Sequence, residues 1–116
     1  MMDKLLHLKE KVRAFADARD WDQFHSPKNL AMALIVEAAE LVEHFQWLTE
    51  EQSSSLPAEK LSEVEAELAD ILIYLVRIAD KLDIDLERAA LKKLQSNAKK
   101  YPADKVHGLS KKYNEY

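Results

Sequence analysis

The amino-acid sequence predicts an all-α fold, a four-helix bundle with short connections. The chain of 116 residues contains one glycine and three prolines, too little turn chemistry for the hairpins of a small β-sandwich or barrel. Between a few punctuating segments, apolar residues recur at helical spacing. The length suits one domain, which we expect to span residues 1–102 and to be followed by a polar C-terminal tail, residues 103–116.

Start and stop signals divide the chain into four predicted helices and one loop. Ser26 followed by Pro27 supplies an N-cap residue and a first-position proline for the second helix, and Asp85 is placed to cap the fourth. Pro102 ends the fourth helix because proline cannot continue the hydrogen-bond ladder. The helices are expected at about residues 3–19, 27–48, 57–82 and 86–100, and residues 49–57 are expected to form a serine-rich loop.

Charge and composition exclude several classes of partner. Seventeen Lys and Arg against 21 Asp and Glu give a net charge of −4, so no global positive field attracts long nucleic acids. The chain lacks cysteine, which excludes a disulfide framework and thiolate metal sites and makes the cytoplasm the expected compartment. Its apolar runs fall far short of the roughly 20 residues of a membrane helix, so we expect no membrane partner.

Two pairs of acidic residues lie at the margins of the apolar stripes. On the second helix Glu37 lies at the edge of the stripe and Glu40 one position further round, and on the third Glu67 lies at the margin, followed by Asp70 three residues later. The stripe of the second helix is Leu30, Leu34, Leu41, Phe45 and Leu48, and that of the third is Val64, Ile71, Leu75, Ile78 and Leu82. Residues three apart share a helix face, so four carboxylates converge if both stripes face one core. Clustered anions repel one another unless a cation lies among them. All-oxygen ligation suits Mg²⁺ or Mn²⁺ and a polyphosphate ligand, whereas the missing Cys and Glu-x-x-His ligands disfavour zinc and a di-iron centre.

The acid pairs also have a plainer interpretation. In a chain that is 33% charged, pairs three residues apart arise by chance on solvated helix faces. The protein would then be a non-enzymatic helical interaction module, and spacing alone leaves both interpretations open.

Characteristic strings surround the two acid pairs. Residues 19–25 read Arg-Asp-Trp-Asp-Gln-Phe-His, residues 45–47 read Phe-Gln-Trp, and residues 70–75 read Asp-Ile-Leu-Ile-Tyr-Leu, with Lys-Tyr-Pro at 100–102. Together with Glu-x-x-Glu at 37–40 and Glu-x-x-Asp at 67–70, these strings resemble the MazG-like all-α nucleotide pyrophosphohydrolases, most closely the dCTP pyrophosphatase branch. The resemblance covers about residues 8–102.

The resemblance implies a reaction and a role for each acid. Members of the family hydrolyse a nucleoside triphosphate to the monophosphate and pyrophosphate with Mg²⁺, and the expected substrate here is dCTP or a modified dCTP. Glu37, Glu40, Glu67 and Asp70 would hold the metal ions, and Glu40 would also orient the attacking water. Positioning and charge neutralisation are what phosphoryl-type transfer requires.

The resemblance also implies a set of substrate contacts. Lys93, Asn97 and Lys100 share one face of the fourth helix and, with Tyr101, would contact the phosphates. The remaining candidates are Trp21, Trp47 and Tyr74 for the base, and His25 and Lys28 for phosphate or base.

The sequence departs from the family at one position of the first helix. Val12 stands where the members most similar to this chain have a histidine, which leaves open another substrate such as dUTP, dATP or a damaged purine nucleotide.

The small size of the domain predicts an assembly. Four helices leave little wall around a nucleotide, so we expect a homo-oligomer, a dimer or tetramer, in which a second subunit completes the site.

Overall fold

The computed structural model describes residues 3–110, and over those residues it is helical and contains no strand. This confirms the all-α prediction. The chain divides into two compact units, Met1–Ile84 and Asp85–Tyr116. The first unit contains α1 (Lys4–Ala18), a short 3₁₀ helix (Asp22–Phe24), α2 (Pro27–Glu43), α3 (Glu50–Ser53) and α4 (Ala58–Lys81), and the second contains α5 (Leu86–Lys100) and α6 (Ala103–Val106).

The start of α2 agrees with the prediction, but its end does not. The Ser26 side chain accepts a hydrogen bond from the Asn29 N–H, and Pro27 occupies the first helical position. The helix ends at Glu43 instead of Leu48 because the His44 and Phe45 N–H groups bond three residues back, which tightens the chain into turns. Within the predicted loop, Thr49 then begins α3 through a reciprocal capping box with Gln52.

The core of the first unit lies where α4 packs against α2 and α1. Its buried apolar residues are Ala16, Leu30, Val64, Val76 and Ala79. Leu30 and Val64 belong to the predicted stripes, but in the second half of α4 the buried face is Val76 and Ala79, while Leu75 and Leu82 stay partly exposed. The closest packing therefore uses the smaller side chains of α4, which allow a closer approach of the helices.

Two aspartates in the left-handed backbone region end α1 and α4. Asp20 has φ 53° and Asp83 has φ 56°. In the first turn the Trp21 N–H bonds to the Ala16 carbonyl at 3.0 Å, and in the second the Ile84 N–H bonds to the Ala79 carbonyl at 2.8 Å. Both turns have the Schellman arrangement usually made by glycine. The first one reverses the chain directly before Trp21.

The second unit begins with the predicted cap. The Asp85 side chain accepts a hydrogen bond from the Arg88 N–H at 3.0 Å, and α5 ends at Lys100 with Tyr101 as its C-cap. The expected tail contains α6, and its residues 111–116 lie outside the described part of the chain. The proposed domain boundary at residue 102 stays a prediction. Among residues 3–110, the helices are each too short or too polar to span a bilayer.

Candidate active site

The packing of α2 against α4 brings the acidic residues together. One carboxylate oxygen from each of Glu37, Glu67 and Asp70 lies within 4.8 Å of the others. Glu37 and Glu67 are half-buried, and Asp70 is exposed. Glu40 is half-buried one turn beyond Glu37, and its carboxylate raises the pKa of both Glu37 and Glu67. The four acids of the two predicted pairs therefore form one cluster between two helices.

Crowding within the cluster raises the pKa values of two carboxyl groups, Glu37 and Glu67. Hydrogen bonding with Glu67, partial burial and the neighbouring Glu40 raise the pKa of Glu37 to about 7. The hydrogen bond from Glu37 by itself lowers the pKa of Glu67, but burial and the charges of Glu40 and Asp70 outweigh it, so that pKa is also raised. Glu37 is therefore partly protonated near neutral pH, which relieves part of the repulsion within the cluster.

A divalent cation fits this donor set. The Oε2 atom of Glu67 is buried and accepts no hydrogen bond from the described part of the chain. A buried carboxylate oxygen without a partner carries a desolvation cost that coordination to a cation removes. The cluster offers oxygen donors alone, the chemistry that Mg²⁺ and Mn²⁺ prefer.

A cavity of about 300 Å³ opens beside the acids. It lies within the first unit, between α1, the 3₁₀ segment, α2 and α4. Glu37 and Asp70 form part of its wall, so the metal-binding acids and the cavity are continuous. The other lining residues are Val12, Phe15, Ala16, Trp21, His25, Leu30, Ile73, Tyr74 and Arg77. Three predicted substrate-binding residues, Trp21, His25 and Tyr74, are among them.

Aromatic rings form one wall of the cavity. The Trp21 indole meets the Phe15 ring edge to face, with centroids 5.7 Å apart at 70°, and its centroid lies 6.3 Å from the His25 ring. The Arg19 guanidinium lies 3.6 Å above Phe15. The turn at Asp20 makes these contacts because it folds Trp21 back against the end of α1. Such a wall suits a planar apolar ligand.

An arginine that the sequence analysis missed forms the polar wall. Arg77 is 3% exposed, and each nitrogen of its guanidinium donates a hydrogen bond. Nε donates to His25 Nδ1 at 3.1 Å, Nη2 to Asp22 Oδ1 at 2.8 Å, and Nη1 to Asp80 Oδ2 at 3.3 Å. The spacing of Asp70, Tyr74 and Arg77, four and three apart on one face of α4, is the signal that could have found it.

The structure does not bring every predicted residue to the cavity. Trp47 is 87% exposed and Lys28 is exposed in the first turn of α2, and neither lines the cavity. Val12, which replaces the family histidine, does line it. The predicted phosphate contacts lie in the second unit, and they are Lys93, Asn97 and Lys100 on α5 and Tyr101 at its C-cap. Their roles stay predictions.

This all-α protein carries an acidic cluster beside an aromatic cavity. Comparison with known proteins identifies its family. Residues 32–116 match the MazG-like family, and the chain belongs to it. It is 43% identical over 104 residues to human dCTP pyrophosphatase 1 and 41% identical over 103 residues to the mouse protein. These matches cover 87% of this chain, which spans about 61% of the length of the curated relatives.

A solved structure supports the same assignment. A pyrophosphatase from Archaeoglobus fulgidus superposes with a TM-score of 0.82 at 37% identity. The superposition covers 88% of this chain and 95% of that chain. The helical arrangement described above is therefore shared with a pyrophosphatase over nearly its whole length.

Proposed function

We propose that this protein hydrolyses a nucleoside triphosphate, with dCTP or a modified dCTP as the expected substrate, to the monophosphate and pyrophosphate. The observation that carries the proposal is the continuity between the acid cluster and the aromatic cavity, because a nucleotide needs a site for its phosphates next to a site for its base. The human and mouse relatives named dCTP pyrophosphatase 1 support it. The reaction would serve nucleotide-pool housekeeping in the cytoplasm.

The acids supply the phosphate end of the proposed site. Glu37, Glu40, Glu67 and Asp70 would hold Mg²⁺, or Mn²⁺ in its place, with the oxygen donors that these ions prefer. When bound, the cation supplies neutralisation of the phosphate charge and activation at the phosphorus. Glu40 orients a water molecule and accepts its proton at a carboxylate oxygen. The water oxygen bonds to the α-phosphorus as the bond to the bridging oxygen of the β-phosphate breaks, and pyrophosphate leaves.

The cavity supplies the base end of the proposed site. Trp21 offers an indole face or edge to a planar base, and Tyr74 lies one turn beyond Asp70 on α4. Val12 adds an apolar surface at the position of the family histidine. Because this position lacks the family's polar side chain, other nucleotides such as dUTP, dATP and damaged purine nucleotides are candidate substrates beside dCTP.

The test is a pyrophosphate-release screen of common and modified nucleoside triphosphates with Mg²⁺. Glu40→Gln and Asp70→Asn should each abolish turnover while circular dichroism shows the wild-type helix content, because each substitution removes a charge with little change in volume. Glu43→Gln, at an exposed acid of α2, is the matched control and should retain activity. Turnover that survives in both site variants contradicts the mechanism. Absence of any turnover or nucleotide-induced thermal shift in the wild type favours the interaction module.

We also propose that the protein works as a homo-oligomer, a dimer or tetramer. Large apolar side chains stay exposed on two helices of the first unit, namely Met32, Ile35, Val36 and Val42 on α2 and Leu61, Leu68 and Leu72 on α4. Exposed large apolar residues concentrated on two helices are typical of an interaction surface, and a symmetric partner covers them most simply. Light scattering at nanomolar concentration tests the proposal, and a fully active monomer contradicts it.

A further inference from the structure

The contact between Arg77 and His25 fixes the protonation pattern of the histidine. Arginine stays protonated and can only donate hydrogen bonds, so the Nδ1 atom that receives the Arg77 Nε–H at 3.1 Å is unprotonated. A neutral imidazole then carries its proton on Nε2. Burial, followed by the charge of Arg77, lowers the pKa of His25 and so keeps the ring neutral at physiological pH.

The network around Arg77 keeps this contact in place. Its two terminal nitrogens donate to Asp22 and Asp80, and Asp80 in turn accepts from Arg13 Nε at 2.9 Å. Lys81 donates to Asp22 at 2.7 Å. The two carboxylates therefore compensate the charge of the buried guanidinium and prevent its rotation toward the cavity. Its Nε–H remains aimed at His25.

The position of Arg77 on α4 places this pair away from the metal-binding acids. Seven residues separate Asp70 from Arg77, which corresponds to two turns or about 10 Å along the helix. Both Arg77 and His25 line the cavity. Within residues 3–110, the Nε2 atom of His25 makes no hydrogen bond, so its proton remains available to a ligand.

On the basis of the proposed function, we propose that Arg77 is a positioning residue for base recognition. By fixing His25 as an Nε2–H donor, it gives the base end of the cavity a hydrogen-bond donor. The ligand group that fits this donor is an acceptor on the edge of a nucleobase, a ring carbonyl oxygen or an unprotonated ring nitrogen. Arg77 acts through His25 and does not itself contact the base.

Nuclear magnetic resonance tests the histidine independently of turnover. Long-range ¹H–¹⁵N correlation at pH 7 should show His25 with an unprotonated Nδ1 and a protonated Nε2, its signals being assigned by their loss in His25→Phe. In Arg77→Met the two tautomers should mix, because the donor to Nδ1 is gone. A protonated Nδ1 in the wild type overturns the proposal, whether or not the protein hydrolyses nucleotides.

A double-mutant cycle tests the role in recognition. With dCTP, or the nucleotide that the screen finds best, Arg77→Met and His25→Phe should each raise KM about tenfold with kcat within twofold, and the double variant should show no further increase. Glu43→Gln, at an exposed acid of α2 outside this network, is the control and should keep KM within twofold. Additive losses, or a fall in kcat alone, would show that Arg77 has only a structural role. If the wild type hydrolyses no nucleotide, the proposed function fails while the resonance result still decides the tautomer.

Discussion

Binding of Mg²⁺ to the acid cluster should release a proton, and the amount follows from the pKa of Glu37. That pKa is raised to about 7 by Glu67, by partial burial and by Glu40, whereas a metal ligand must be deprotonated. With a pKa of about 7, the metal-free site would release about 0.9 proton at pH 6, 0.5 at pH 7 and 0.1 at pH 8 on binding. The apparent Kd for Mg²⁺ should accordingly rise about tenfold from pH 8 to pH 6.

Isothermal titration calorimetry measures this proton directly. The binding enthalpy at pH 6 should vary among buffers of different ionisation enthalpy, and the slope of that variation gives the protons released. Glu37→Gln removes the titrating group and should remove the slope, whereas the exposed control Glu43→Gln should retain it. A wild-type enthalpy that is independent of buffer at pH 6 would refute the argument that Glu37 holds a proton in the metal-free site.

Two further predictions concern stability. Asp83→Gly should raise the free energy of unfolding by about 0.5–1 kcal/mol in urea denaturation, because glycine adopts the left-handed φ of 56° without strain; a loss of stability would contradict this. Asp80→Asn should lower it by about 2–3 kcal/mol at pH 7, since the buried Arg77 loses a partner. The hydrogen bond from Arg13 holds the pKa of Asp80 below its ordinary value, so the carboxylate stabilises the fold above about pH 4. That contribution is lost as the pH falls through the lowered pKa, and the gap between wild type and variant should close in acid.

Local signals predicted the helix starts better than the helix ends. Ser26 and Asp85 cap their helices as expected, because a cap bonds to N–H groups two or three residues away and is visible in the sequence. The end of α2 was missed because apolar residues continue the helical period past Glu43 while the backbone turns away. The Thr49-x-x-Gln52 pattern is a capping box, and it marks α3 inside a segment that composition alone presents as a loop.

The acid cluster was predictable for a similar reason, but the hydrogen-bond partners of Arg77 were not. Acids three residues apart must share a helix face, so two pairs beside apolar stripes converge when those stripes pack. The partners His25 and Asp22 of Arg77 lie 52 and 55 residues away along the chain, and no local spacing encodes that contact. Trp47 was expected on the second helix, but α2 ends at Glu43 and does not extend to residue 47.

The proposed site uses α4 as its common support, which has a consequence for how substitutions act. Asp70 and Arg77 lie on one continuous helix, whose other side is anchored by the buried Val76 and Ala79. A helix fixes the separation of its side chains more firmly than a loop does. The separation of the metal-binding Asp70 from Arg77, which positions the donor His25, is thus set by the helical rise, about 10 Å for seven residues. Substitutions at one end should consequently affect one part of the reaction, unless they disturb α4 itself: metal binding and the turnover that depends on it at Asp70, or KM at Arg77.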